Sequence, residues 1–278
     1  MLPRTRVRVT YKKTNMKLKI YQIDAFTKTI FGGNPAAVIP LTQWLTDEVM
    51  QDIAAENNLS ETVFYVPRND GSFHIRWFTP TIEVALCGHA TLAASHVMFK
   101  YLKYPHAEIT FDSLSGILKV RAENDGSYTL DFPADQLQKT VLPQAAQLAL
   151  DVQPLEVYQG KEDYLIVLGS EAEVAALLPD FKLLSTIKAR GFIVTAKGEK
   201  YDFVSRCFFP ASGIDEDPVT GSAHTTLTPY WAEKLMKNRL SAQQISKRKG
   251  ELQCRYVGRR IEITGHARTY LIGEIEVE

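Results

Sequence analysis

Two short stretches of this 278-residue chain put a glycine where a helix is about to start and surround it with groups that handle protons. The first is Cys87-Gly88-His89-Ala90-Thr91-Leu92, and the second is Thr220-Gly221-Ser222-Ala223, just after Asp215-Glu216-Asp217-Pro218. A helix start exposes roughly four unpaired N–H groups and about half a positive charge, so each stretch is a ready anion site. Without a Cβ, Gly88 and Gly221 let the chain approach a ligand closely. Helix entry alone explains one such glycine. Two in corresponding places point to a shared site for a small anion.

Other side chains nearby are candidates for the chemistry. Glu61 stands where Asn58-Leu59-Ser60 gives way to the apolar run Thr62-Val63-Phe64. A carboxylate pressed against such a strand loses hydration, which suits it to moving protons; the plainer alternative is a solvated glutamate at a strand end. His89 falls in the first helical turn, where the dipole disfavours imidazolium, so a neutral imidazole or a satisfied helix-end histidine is expected. Asp217 is the third of three adjacent acids whose repulsion raises at least one pKa, and it is placed to bond a substrate amine or a catalytic partner. Asp followed by Pro218 is also a standard helix opening. Asn34, in Gly32-Gly33-Asn34-Pro35, offers a donor and an acceptor to a substrate, although turn chemistry explains it equally. Cys87 lies in a loop before a helix, whereas Cys207 and Cys254 follow apolar strand patterns and read as core. Cys87 and His89 are one residue apart with no second Cys/His cluster, so no metal is expected.

The elements that position these groups occur twice. Arg76-Trp77-Phe78-Thr79-Pro80 and Glu83 recur as Arg206-Cys207-Phe208-Phe209-Pro210 and Glu216, with an offset of 130 residues at the arginine and 133 at the glycine. Upstream, Val63-Phe64-Tyr65-Val66 faces Phe192-Ile193-Val194-Thr195; downstream, the stretch from Gly116 faces the stretch from Gly250. Each half reads as strands around one long helix, one from about His89 to Leu102 and one from after Gly221 to near Asn238. Pro229 inside the second should kink it. The fold class is therefore α+β: two pseudo-symmetric domains at 16–132 and 155–278, each a β-sheet rolled around a central α-helix, with the last strand free to return to the first domain. The crossover between them carries a short helix around Gln144–Leu150. Residues 1–15, with five basic side chains and no acid, read as a disordered basic extension.

Composition excludes several classes. Beyond residue 15 there are 27 basic and 32 acidic side chains, a net charge of −5 that argues against a nucleic-acid partner. No apolar run reaches the roughly 18 residues of a membrane span. Three cysteines without a close pair suggest a reducing, cytoplasmic compartment. P-loop, G-x-G-x-x-G, G-x-S-x-G and zinc signatures are missing, which leaves acid–base chemistry on a small anion without a cofactor.

Asp24-Ala25-Phe26, Gly33-Asn34-Pro35-Ala36, Ser60-Glu61-Thr62, Phe78-Thr79-Pro80, Glu83, Cys87 to Leu92 and Glu216 to Ala223 together resemble the PhzF-like phenazine-biosynthesis isomerases, from about residue 17 to the C-terminus. The resemblance implies the fold of diaminopimelate epimerase with the active site between two similar domains. It makes Glu61 the acid–base group, with His89 and Asp217 assisting at the substrate. The Gly88 loop and the Gly221-Ser222 amides then hold a carboxylate, and a homodimer is implied. Diaminopimelate epimerase uses two cysteines; here Cys87 resembles the first, and the position of the second falls at or near Pro218. The expected function is a cofactor-independent isomerase that moves a proton between carbons of a small unsaturated amino acid or carboxylate. The alternatives are a racemase or epimerase using Glu61 with Cys87, and a non-catalytic binding or regulatory protein on the same fold.

Overall fold

The computed structural model describes residues 16–278, and the expected basic extension lies outside them. Within the described residues, 18 strands join into one continuous sheet that carries both halves. In the first half, Met16–Ala25, Asn34–Pro40, Glu61–Pro67, Phe73–Phe78, Glu108–Ser113, Gly116–Ala122 and Tyr128–Pro133 follow one another. Successive pairings are antiparallel, parallel, antiparallel, parallel, antiparallel and antiparallel. In the second half, Glu156–Gln159, Asp163–Val167, Gly191–Lys197, Phe203–Phe209, Arg239–Gln244, Gly250–Val257 and Arg260–Gly265 pair in the same order and senses. The halves join edge to edge where Arg260–Gly265 runs antiparallel to Tyr128–Pro133. The closing strand, Ala267–Val277, returns to pair with Met16–Ala25.

The register corrects the sequence alignment by one residue. Val63 lies opposite Trp77, and Ile193, not Phe192, lies opposite Cys207. Because side chains alternate faces along a strand, a one-residue slip exchanges core for surface. The counterpart of Glu61 is therefore Gly191.

Each half wraps a helix, Gly88–Lys100 and Ala223–Leu235. The first is buried without a break from Gly88 to Met98. A helix apolar on every side is stable only when enclosed. Pro229 sits inside the second helix and cannot donate to the carbonyl of Thr225. That carbonyl accepts instead from Asp135 N at 3.1 Å, so the helix defect anchors the crossover. The crossover helix is Gln144–Leu150, as its pattern suggested. Thr46 caps the helix Asp47–Asn57, whose apolar face covers the outside of the first sheet.

The repeated motif also repeats its bonds. Arg76 grips Glu83 through Nε at 2.7 Å and Nη2 at 2.7 Å, and Arg206 grips Glu216 at 2.7 and 2.9 Å. Each guanidinium lies 5.1 Å from a phenyl centroid, Phe78 in one half and Phe208 in the other. This fork holds the strand end that leads into each glycine.

The two glycines meet. A Cβ built on Gly88 would lie 3.1 Å from the Cα of Gly221, and one on Gly221 the same distance from the Cα of Gly88. Both helices thus begin at a single point of contact between the halves. Gly88→Ala or Gly221→Ala should cost roughly 1–3 kcal/mol by overpacking, read from urea unfolding midpoints. A loss below about 0.5 kcal/mol in both variants would mean that the contact is not needed.

Candidate active site

A cavity of about 570 Å³ opens between the halves where the two helices begin. Its wall includes Glu61, Cys87, Gly88 and His89 from the first half and Asp217, Gly221 and Ser222 from the second, with Ile82, Val84, Leu86, Phe209 and Ile214 as apolar surface. The volume suits a small organic ligand.

Glu61 is the first residue of its strand and is only 9% exposed, so it is not the solvated strand-end glutamate that its position allowed. Its Oε2 lies 3.0 Å from Nε2 of His89, which is also buried. Neither atom has an aligned hydrogen bond, so they face each other as an ion-pair contact. Catalytic hydrogen bonds are often misaligned before substrate arrives and tighten in the complex.

Electrostatics corrects two expectations. Burial pulls the His89 imidazolium down, but the charges of Cys87 and Glu61 outweigh it and leave His89 raised well above its ordinary value. The helix dipole favours the neutral ring, and the adjacent carboxylate overrules it. Burial and Glu61 push the Cys87 thiol up to about 11, so at neutral pH it is protonated and Glu61 is left to hold the imidazolium. Asp217 is pushed up to about 6, chiefly by burial, with Glu61 adding and His89 opposing. Repulsion within the acidic triplet is not the main cause, since Glu216 is held by Arg206.

Asp217 ends the strand Ile214–Asp217, and the helix starts six residues later at Ala223. It is therefore not a helix cap. The chain from Asp217 to Gly221 forms a suspended loop. Gln244 donates to the carbonyl of Asp217 at 2.7 Å and accepts from Thr220 N at 2.8 Å, and Ser246 donates to the carbonyl of Pro218 at 2.7 Å. Thr220 Oγ1 donates to Asp217 Oδ2.

Asn34, expected as a substrate contact, is fully buried and is not on the cavity wall. Its amide donates to Asp217 Oδ1 at 2.7 Å and to the carbonyl of Val219 at 3.0 Å, and lies 3.1 Å from Nδ1 of His89. One side chain behind the wall thus holds Asp217 and lies against the ring of His89. Its position depends on Gly33, whose φ of +63° turns the chain at a point where a Cβ would strike the carbonyl of Ala25. Arg248 reaches over from the second half to the carbonyls of Gly33 at 2.8 Å and Gly32 at 2.9 Å, and to the buried Asp24 at 2.7 Å.

Gln244 was recognisable in the sequence as a polar residue continuing the inward alternation of Leu240 and Ala242. Arg248 was hidden in Lys247-Arg248-Lys249, which reads as a solvated charge run.

Glu61, Cys87 and His89 also bring ligand atoms within 4.8 Å of one another, a grouping that the Cys87/His89 spacing did not reveal. Cys87 Sγ lies 3.5 Å from Nδ1 of the imidazole, while Glu61 faces Nε2. Cys207 and Cys254 are buried and unpaired, as their patterns suggested. No helix among the described residues is long and apolar enough to cross a membrane.

Residues 23–273 match the family model PhzC-PhzF, described as phenazine biosynthesis-like protein. An uncharacterized isomerase of Pseudomonas aeruginosa is 49% identical over 262 residues, which is 94% of this chain and 100% of that protein. The crystal structure of a PhzF-family phenazine biosynthesis protein from Enterococcus faecalis superposes with a TM-score of 0.89 at 44% identity, covering 94% of this chain and 99% of that one. A hydroxyproline epimerase from Agrobacterium vitis shares the fold alone, at 10% identity and a TM-score of 0.62 over 94% of this chain and 93% of that one. The chain belongs to the PhzC-PhzF family of phenazine biosynthesis-like proteins and is an isomerase of that family.

Proposed function

We propose that this isomerase needs no cofactor and moves a proton between two carbons of a small unsaturated amino acid or carboxylate, with Glu61 carrying the proton. The observation that carries this reading is the one-sidedness of the site. Glu61 and Cys87 both approach the same imidazole. Across the pseudo-symmetry, the counterpart of Glu61 is Gly191, where a Cβ would already collide with the ring of Phe209. The residue before the second glycine is Thr220, so the counterpart of Cys87 is a threonine rather than Pro218. Racemisation by two bases needs groups on opposite faces of the substrate, and the second half offers neither a carboxylate nor a thiol at these places.

In this mechanism the substrate carboxylate rests on the N–H groups at Gly88 and at Gly221-Ser222. Glu61 takes a proton from one carbon, and the electron pair shifts through the unsaturated system. Glu61 then returns the proton to a second carbon on the same face, so that no oxidant or reductant is required. Imidazolium at His89 lies 3.0 Å from the Glu61 carboxylate, within reach to share its proton. Asp217, held by Asn34 and Thr220, faces polar groups of the substrate. Three buried free cysteines support a reducing, cytoplasmic setting. A homodimer is supported by the closing strand, which pairs on one side only among the described residues and leaves Tyr270, Leu271 and Ile272 exposed.

Incubation with a panel of small unsaturated amino acids and carboxylates in deuterated water should give carbon-bound deuterium in at least one compound. Glu61→Gln should slow that exchange by about 10²–10⁴-fold, and Cys87→Ala should leave it within about threefold. Equal exchange by wild type and Glu61→Gln would remove Glu61 from this role. Loss on Cys87→Ala would favour the two-base racemase.

The protonation states make a separate prediction. Because Asp217 is raised from 3.8 to about 6, the folded protein keeps a proton there that the unfolded chain has released. Asp217 therefore favours folding near pH 4, and the advantage is lost as pH rises to about 6. His89, also raised, acts in the same sense at higher pH. Relative to wild type, Asp217→Asn should gain on the order of 1–3 kcal/mol between pH 4 and pH 7 in urea unfolding. Parallel stability curves for the two proteins would show that Asp217 has an ordinary carboxylate affinity for protons.

A further inference from the structure

The structure assigns His224 as a positioning residue that turns the Gly221 N–H toward the cavity by pinning the carbonyl of Thr220. His224 is the second residue of the helix Ala223–Leu235, is completely buried, and does not line the cavity. Its Nδ1 lies 2.8 Å from the Thr220 carbonyl oxygen. A carbonyl only accepts, so Nδ1 carries the hydrogen. Nε2 is buried without a partner and is left as a lone pair. Burial holds the ring down to about 4, which keeps it neutral.

The bond fills a gap in the helix. His224 N bonds the carbonyl of Gly221 at 3.1 Å, which leaves the carbonyl of Thr220 to the imidazole. In the first half the corresponding carbonyl, that of Cys87, already accepts from Thr91 N at 3.3 Å, and the same residue adds a side-chain bond to it. Thr91, 133 positions earlier, donates Oγ1 to the carbonyl of Cys87 at 2.5 Å. The glycines are also 133 apart. In both halves, then, the side chain three residues after the glycine bonds the carbonyl just before it. In a trans peptide the N–H points opposite to the C=O. Fixing the carbonyl toward the helix therefore aims the glycine N–H out of it, into the crevice where the other half begins. The same Thr220 bonds Asp217, so the pinned peptide also steadies that carboxylate.

This assignment rests on the reading of the helix starts as a carboxylate cradle, and its test separates the two. Long-range ¹H–¹⁵N spectra of the wild type should show His224 neutral and protonated on Nδ1 from pH 5.5 to 8. His224→Asn replaces the Nδ1–H donor with an amide, and His224→Leu removes it at similar bulk. The Gly221 amide resonance should stay near its wild-type position in His224→Asn and move in His224→Leu, with melting temperatures within a few degrees. Titration with benzoate should shift the Gly221 amide in wild type and His224→Asn, and the affinity should fall about three- to tenfold in His224→Leu. An Nε2–H tautomer, an imidazolium, or a Gly221 amide unmoved in His224→Leu would overturn the assignment. Failure of benzoate to bind wild type would instead count against the carboxylate cradle, while the tautomer and amide resonances still decide the role of His224.

Discussion

Two helix entrances can meet in van der Waals contact only where the residues that touch carry no Cβ, and the rest of this structure depends on Gly88 and Gly221 meeting in that way. The contact brings two sets of free N–H groups and two positive dipole ends to one place. It also fixes the distance between the sheets, because each helix is enclosed by its own strands. The forks Arg76–Glu83 and Arg206–Glu216 hold the strand ends that feed the contact. Asn34 and Arg248 then lace the two halves together behind it.

The halves share a scaffold and differ in their chemistry. The first contributes Glu61, His89 and Cys87, and the second contributes Asp217 on a suspended loop. Where the first has a carboxylate at the start of its strand, the second has Gly191 filled by the Phe209 ring. Burial concentrates these groups in a poorly solvated space, where Glu61 raises the proton affinities of both His89 and Asp217. That asymmetry supports the proposal that one wall carries the proton and the other binds.

Much of this was legible in the chain. The repeated arginine, glutamate and glycine spacing revealed the duplication and placed one long helix after each glycine. Glu61, His89, Asp217 and the two glycines do converge on one cavity. What stayed hidden depended on tertiary contact. The Glu61 environment is made by His89, 28 residues away, which local patterning does not encode. Asp217-Pro218 looks locally like a helix start, but Gln244 and Ser246 hold it as a strand end and loop. The strands Glu156–Gln159 and Arg239–Gln244 are short, and only their neighbours in the sheet identify them. Val63 was aligned one residue out because apolar runs align equally well in either register until a partner strand fixes them.

The central claim is that a single group, on one face of the substrate, both removes and returns the proton. For a compound that the enzyme turns over in deuterated water, NMR assignment of the configuration at the newly deuterated carbon tests this most directly. Deuterium entering on the face from which the original proton left is the predicted result. Delivery to the opposite face would contradict the account, since it would require a second proton carrier on the wall that holds Asp217 and Thr220.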